Sequence, residues 1–271
     1  MSLAVLLILV LGFAAPLARA IEVLYGITFD SELIKIDTST GAGTLVGNLD
    51  SSMSALGLAD SGGNLYTFDQ TADVVRQLDP ATGGTVATID IGTGPLIGEG
   101  GFTLRDDGTG FLSTSRSAVG RLYGVDIGAG TSAPITAPGG LTPSMDGLAL
   151  GPGGVLYGIS QGTATLHTID ESTGATTVVG DTGDDDDDNL SGLAFNDAGQ
   201  LFGEIDGDLV SIDPTTGLAT VIGPIGFDNV SGLTFLDVQP QQPPQVPLPA
   251  TLLLVGLGLP AMAIATRSRR R

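Results

Sequence analysis

Val155-Leu156-Tyr157-Gly158-Ile159, then Ile169-Asp170, Thr173-Gly174 and Thr177-Val178-Val179-Gly180, is one copy of a pattern that recurs along the chain. An earlier copy reads Val23-Leu24-Tyr25-Gly26-Ile27, Leu33-Ile34-Lys35-Ile36-Asp37, Thr40-Gly41 and Thr44-Leu45-Val46-Gly47. The second copy has Asn64-Leu65-Tyr66, Gln77-Leu78-Asp79 and Thr82-Gly83, and the last has Leu201-Phe202-Gly203, Ile212-Asp213, Thr216-Gly217 and Thr220-Val221-Ile222-Gly223. A degraded middle copy keeps Phe111-Leu112 and Leu122-Tyr123-Gly124-Val125-Asp126. The Asp markers at 37, 79, 126, 170 and 213 are spaced 42, 47, 44 and 43 apart. A period in the low forties with short, β-branched, alternating segments is the mark of a β-propeller with four strands per blade.

Each copy is followed by a small-residue strand: Gly57-Leu58-Ala59, Gly101-Phe102-Thr103, Gly147-Leu148-Ala149, Gly192-Leu193-Ala194 and Gly232-Leu233-Thr234. Glycine and alanine suit an innermost strand that crowds a narrow axis. The repeat domain, residues 21–238, therefore starts on a second strand, Glu22 to Ile27, and ends on a first strand, Gly232 to Val238. Pairing these two completes one blade from both ends. The expected fold is all-β, a propeller of five four-stranded blades closed by its N- and C-terminal strands, with no sheet edge left open. A β-sandwich does not explain the register of the repeats. In the Asp-x-x-Thr-Gly turns, Asp caps its own turn and Gly accepts a positive φ.

Composition narrows the function. Thirty acidic residues face ten basic ones, and between residues 21 and 245 only Lys35, Arg76, Arg105, Arg116 and Arg121 are basic. Such a body repels phosphate backbones, so no nucleic-acid partner is expected. There is no cysteine, which removes disulfides, thiol catalysis and Cys-based zinc sites. No Ser-His-Asp arrangement is recognisable, and no catalytic residue is assigned. The chain has no tryptophan, and the aromatics Tyr25, Tyr66, Tyr157 and Phe202 share one repeat position, as core packing requires. His167, the only histidine, lies in Thr165-Leu166-His167-Thr168-Ile169-Asp170. Matched to Lys35, Gln77 and Ser211, it is expected to face solvent.

Asp184, Asp185, Asp186, Asp187 and Asp188 form a run before the next innermost strand. Glu99, Asp146 and Asp228 occupy comparable loops, which gather near the axis on one face of a propeller. Oxygen ligands in that number suit Ca²⁺, the one cofactor the chemistry suggests. Five adjacent like charges also repel, and a solvated loop is the simpler account. A hydrolase or lyase acting on extracellular polysaccharide is the alternative function, with Glu99 and Asp146 as its candidate carboxyl pair.

The two ends read differently from the body. Leu3 to Leu17 is almost wholly apolar and ends in Ala18-Arg19-Ala20. Too short for a comfortable span, it reads as a signal peptide over residues 1–20, cleaved by signal peptidase after Ala20. At residues 239–245 the composition turns to Gln and Pro, an extended linker. Val246-Pro247-Leu248-Pro249-Ala250 follows, then an apolar segment over residues 250–266, then Arg267-Ser268-Arg269-Arg270-Arg271. As a helix that segment is roughly 26 Å long, barely enough to cross a bilayer core, and its Arg cluster stays cytoplasmic. The propeller then lies outside the cell.

Residues 246–271 resemble the PEP-CTERM sorting signal in its Val-Pro-Leu-Pro-Ala variant; Leu248 stands where the commoner form has Glu. The resemblance implies recognition by an exosortase, a membrane transpeptidase-like protease, with removal of the tail. It also implies a Gram-negative-type cell that makes extracellular polysaccharide. Together these readings give a membrane-anchored precursor that becomes a non-enzymatic cell-surface or matrix protein. Its propeller serves as a binding or structural module, with polysaccharide, cations or other proteins as candidate partners.

Overall fold

The computed structural model describes residues 21–50, 53–92, 100–114, 120–137, 140–183 and 190–238. These form five four-stranded antiparallel sheets. The first blade joins β20 (Val230–Val238), β1 (Ile21–Thr28), β2 (Glu32–Ile36) and β3 (Gly43–Asn48), in that order from the axis outward. The second holds β4 (Ala55–Ser61), β5 (Asn64–Asp69), β6 (Val74–Leu78) and β7 (Thr85–Asp90). The third holds β8 (Phe102–Leu104), β9 (Thr109–Thr114), β10 (Arg121–Asp126) and β11 (Thr131–Pro134). The fourth holds β12 (Gly147–Leu150), β13 (Leu156–Ser160), β14 (Thr165–Ile169) and β15 (Thr176–Asp181). The fifth holds β16 (Leu190–Phe195), β17 (Leu201–Ile205), β18 (Asp208–Ile212) and β19 (Ala219–Pro224). The closing pair β1–β20 runs from Ile21 opposite Val238 to Thr28 opposite Val230.

The repeated glycines explain why the ring is tight. A Cβ on Gly57 would lie 2.4 Å from the Phe102 nitrogen, and one on Gly101 would lie 2.3 Å from that of Leu148. Gly147 abuts Gly192, Gly192 abuts Leu233, and Gly232 abuts Gly57 and Leu58. Each inner strand is thus packed through a glycine onto the next, and the fifth returns to the first. A side chain at these positions would push backbone from backbone.

A second ring lies further out. The Asp-x-x-Thr-Gly turns have the predicted geometry: in blade one, Asp37 Oδ1 accepts the Ser39 N–H at 2.8 Å, and Gly41 has φ +82°. They also dock on the preceding blade. A Cβ on Gly47 would meet the Thr82 oxygen at 2.0 Å, and one on Gly223 would meet that of Thr40 at 2.4 Å. Gly180 meets the Thr216 oxygen in the same way. The Val-Gly and Thr-Gly elements of the repeat are therefore two halves of one inter-blade contact.

The core is divided among the junctions. Tyr25, Ile27 and Leu33 pack on Leu58, Leu65 and Leu78 between blades one and two. Leu24, Ile34 and Ile36 pack on Phe202, Leu209 and Val230 on the other side of blade one. Each such large side chain, fully buried, contributes about 2 kcal/mol of transfer free energy. Without disulfides, this interdigitation holds the ring.

Closure does not remove every edge. β3, β7, β11, β15 and β19 each lie at the outer rim of a blade and pair on one side only. Joining the termini satisfies the inner part of blade one and leaves the rims as they are. There Leu45, Val86, Val178 and Val221 are exposed. Bulges in the β2–β3, β6–β7, β14–β15 and β18–β19 pairings bend four of these rims, a device that blunts edge-to-edge pairing.

Candidate functional site

The axis opens at two mouths. Each inner strand begins at one mouth and ends at the other, where in blades two to five it turns back into the second strand of its blade and in blade one β20 ends beside the start of β1. At this hairpin mouth a cavity of about 300 Å³ is floored by Leu58, Leu193 and Leu233. Five carboxylates line it: Glu22, Asp60, Asp106, Asp197 and Asp237. Among the described residues its lining carries no Lys or Arg. Arg105, beside Asp106 in the chain, is engaged elsewhere, with Glu171 at 2.6 Å and over the Phe111 ring.

Asp60 is held in an unusual environment. Its main-chain N–H donates to Thr234 Oγ1 at 3.1 Å, tying blade two to the closing strand. Its Oδ1 is buried without a hydrogen-bond partner. Burial, then the charge of Asp106, then that of Asp237, raises its pKa to about 6, while main-chain donors at Gly63 and Asn64 pull the other way. Glu22 Oε1 accepts the Asp197 N–H at 2.6 Å, joining blades one and five at the rim. The cavity is an anionic cup with an apolar floor. It favours cationic or neutral groups and disfavours anions.

Of the candidates taken from sequence, Asp146 and Asp228 lie at the other mouth. Asp146 is buried just before β12, whereas Asp228 is exposed before β20. Glu99 and Asp184 to Asp188 lie outside the described residues. Among the described residues, no three His, Cys, Asp or Glu side chains are placed to hold a metal ion. Ser191 and Ser231 stand where blade four has Asp146, directly before the inner-strand glycine. There the polar layer serves junctions: Ser231 Oγ reaches the Ala55 oxygen at 3.5 Å, and Ser113 Oγ reaches that of Met145 at 2.9 Å.

The hairpin-mouth carboxylates were legible in principle. Asp106, Asp197 and Asp237 each stand five residues after an inner-strand glycine (Gly101, Gly192 and Gly232). Aligning the repeats on that glycine, rather than on the Ile-Asp marker, brings them into one column.

His167 departs from expectation. It is 2% exposed, not solvent-facing. The pairing of Gly158 with His167 matches that of Gly26 with Ile34 and Gly203 with Val210. The residue matching Lys35 is Thr168, which faces Tyr157 as Lys35 faces Tyr25. The sequence alignment is one residue out, and in a strand one residue exchanges the two faces. His167 Nε2 is bonded to Thr165 Oγ1 at 2.7 Å, its Nδ1 has no partner, and burial lowers its pKa.

The sorting residues Ala18, Ala20, Val246 to Ala250, Arg267, Arg269, Arg270 and Arg271 lie outside the described residues. Among the described residues no helix is long and apolar enough to cross a membrane.

Closed ring, four-stranded blades and axial mouths define a five-bladed β-propeller. The chain is similar to one in a nidogen/laminin complex: TM-score 0.56, 12% identity, covering 81% of this chain and 100% of that one. It is also similar to a symmetrical protein studied for its de novo evolutionary emergence: TM-score 0.51, 20% identity, covering 82% and 100%. A virginiamycin B lyase from Staphylococcus aureus aligns with TM-score 0.43 and 14% identity over 71% of this chain and 62% of that one. At these identities the first two likenesses concern the fold alone, and the third carries no argument. No protein-family profile and no curated protein matches the chain.

Proposed function

We propose that this chain is an exported cell-surface or matrix protein whose propeller is a non-enzymatic binding module. The observation that carries the binding half is the hairpin mouth, a cavity of about 300 Å³ lined by five carboxylates. Its occupant is a cationic or neutral group, such as an amine-bearing side chain of another surface protein or a neutral stretch of polysaccharide. Calorimetric titration with spermidine tests the charge preference. Binding that weakens with salt and falls at least tenfold in the Asp60→Asn/Asp237→Asn double variant supports it. Equal affinity for a polyanion such as heparin sinks it.

Export and sorting rest on the two ends of the sequence. Signal peptidase removes residues 1–20, and an exosortase-type enzyme reads Val246 to Ala250 while the 250–266 segment sits in the membrane. Intact mass of the protein from cells and medium tests both steps. The expected product begins at Ile21 and ends near residue 250, and it disappears when Val246–Ala250 is replaced. A product that retains Arg271 would mean a permanent anchor.

A second reading, a polysaccharide hydrolase or lyase, is favoured by one feature, the raised pKa of Asp60 beside Asp106. A carboxyl whose pKa is raised by burial beside a second carboxyl is the kind of group such enzymes use as the acid. Turnover of a polysaccharide that Asp60→Asn abolishes would establish it.

A further inference from the structure

At the junction of blade five with the closing strand, one hydroxyl faces two acceptors. Ser191 Oγ lies 2.7 Å from Glu204 Oε2 and 2.5 Å from the main-chain oxygen of Val230. A serine hydroxyl carries one proton, and a carbonyl carries none. Both contacts are hydrogen bonds only if the second proton belongs to Glu204. The other carboxyl oxygen, Oε1, is already an acceptor, taking the Gly207 N–H at 2.7 Å. We propose that Glu204 is held as the neutral acid and donates from Oε2 to Ser191 Oγ, which in turn donates to the Val230 oxygen. One titratable proton thereby clasps the first residue of the closing strand to blade five.

The surroundings favour the acid. Glu204 is 1% exposed and pairs with Leu209 as Ile27 pairs with Leu33, so it occupies an apolar core position. The charged groups that act on it are Asp206, in the turn after β17, and Asp208, at the start of β18. Both are anionic. From β16 it meets the Ser191 hydroxyl, and beyond that hydroxyl lies the main chain of β20. Burial, the largest influence, raises its pKa to about 7 from an ordinary 4.5, while hydrogen bonds that Ser191 and the Gly207 N–H can give the ionised carboxylate pull the other way. The sibling contacts of Ser231 with Ala55 and of Ser113 with Met145 use a hydroxyl alone.

The clasp is a pH-sensitive device in the ring closure. When Glu204 ionises, the single proton of Ser191 turns to the carboxylate, and the Val230 oxygen loses its donor. Because the folded pKa is raised, the stabilisation is complete below about 4.5. It is lost as pH climbs through about 7 and stays lost above that.

The test uses the full chain labelled with ¹³C at the glutamate carboxyl carbons. There are five glutamates, and the Glu204 signal is the one missing in Glu204→Gln. Its expected midpoint is about 7. In melting experiments the wild type loses ground to Glu204→Gln as pH rises from 4.5 to 7, because the amide keeps its donor toward Ser191 at every pH. In a Ser191→Ala background the Val230 oxygen has no side-chain donor at any pH, so the pH-dependent melting difference between the wild-type Glu204 and Glu204→Gln shrinks. A midpoint in the ordinary carboxylate range, or a melting difference that Ser191→Ala leaves unchanged, would overturn the proposal. So would a melting difference that does not change with pH. Should Glu204→Gln not fold, the midpoint of the outlying glutamate resonance decides the matter alone.

Discussion

The two mouths of the axis are made by opposite ends of the same five inner strands, yet they carry different chemistry. The hairpin mouth holds carboxylates from four of the five blades, two from blade one and one each from blades two, three and five, and they face a common cavity. The other mouth holds a buried Asp146, together with Ser191 and Ser231 close to main-chain oxygens of the next blade. The hairpins there are short and leave the cavity open, whereas the longer inter-blade connections must be tied down. One mouth thus presents an open anionic cavity, while the described serines of the other join neighbouring blades.

The glycine waist that both mouths share gives the largest expected effect. Gly232→Val sets a side chain against the Gly57 and Leu58 main chain at 2.5 Å. A loss of about 3 kcal/mol or more is expected in guanidinium unfolding. A normal midpoint would mean that the inner strands do not touch as described. Next is the mouth that holds the ring. Asp69 is buried and paired with Arg76 at 2.8 Å. Arg76→Ala leaves that carboxylate uncompensated, at a cost of about 3 kcal/mol.

The hairpin mouth responds in the opposite sense. The raised pKa of Asp60 means that stability is lost as pH climbs from 3.8 to about 6. Asp60→Asn is therefore expected to gain about 1 kcal/mol at pH 7, after allowance for solvent screening, and nothing at pH 3. A destabilised variant at pH 7 would show that the carboxylate is a structural group. Smaller still is His167→Ile, which installs the residue blade one carries as Ile34. With the partnerless Nδ1 removed, stability is expected to be unchanged or higher by about 0.5 kcal/mol. A large loss would restore a role for the imidazole. The exposed turn gives the least. Asp170 has its pKa lowered to about 2, chiefly by the Ser172 hydroxyl and then by Thr173. Its contribution is present above 3.8 and fades as pH falls through about 2, so Asp170→Asn should flatten only the acid limb of a pH–stability curve.

Where the chain repeats itself, the architecture could be read directly. Blade number, inner strands and terminal closure all follow from the Ile-Asp and Gly-Leu-Ala markers, because period and small-residue placement are set by the axis. The cup was not read, because its carboxylates are scattered: Glu22 comes from a second strand, and Asp60 stands nearer its glycine than its counterparts do. The Asp184–Asp188 run drew attention by its density, although a line of adjacent charges says nothing about convergence in space. His167 was misplaced by a slip of one residue, which matters little in a loop but reverses everything in a strand. The docking of each Thr-Gly turn on a neighbouring glycine was also missed. Both residues belonged to the repeat, but repetition alone does not show which copies touch.

The pairing of Ile21 with Val238 has a mechanical consequence. These strands are antiparallel, so the chain enters and leaves the ring at the same end of one ladder. Force applied between the two ends would part that ladder one rung at a time, as a zipper opens. Force applied to residue 238 alone reaches the body both through that ladder and along β20 to the chain before Val230. A ring held by a single tether thus loads its seam only with the drag on its own body.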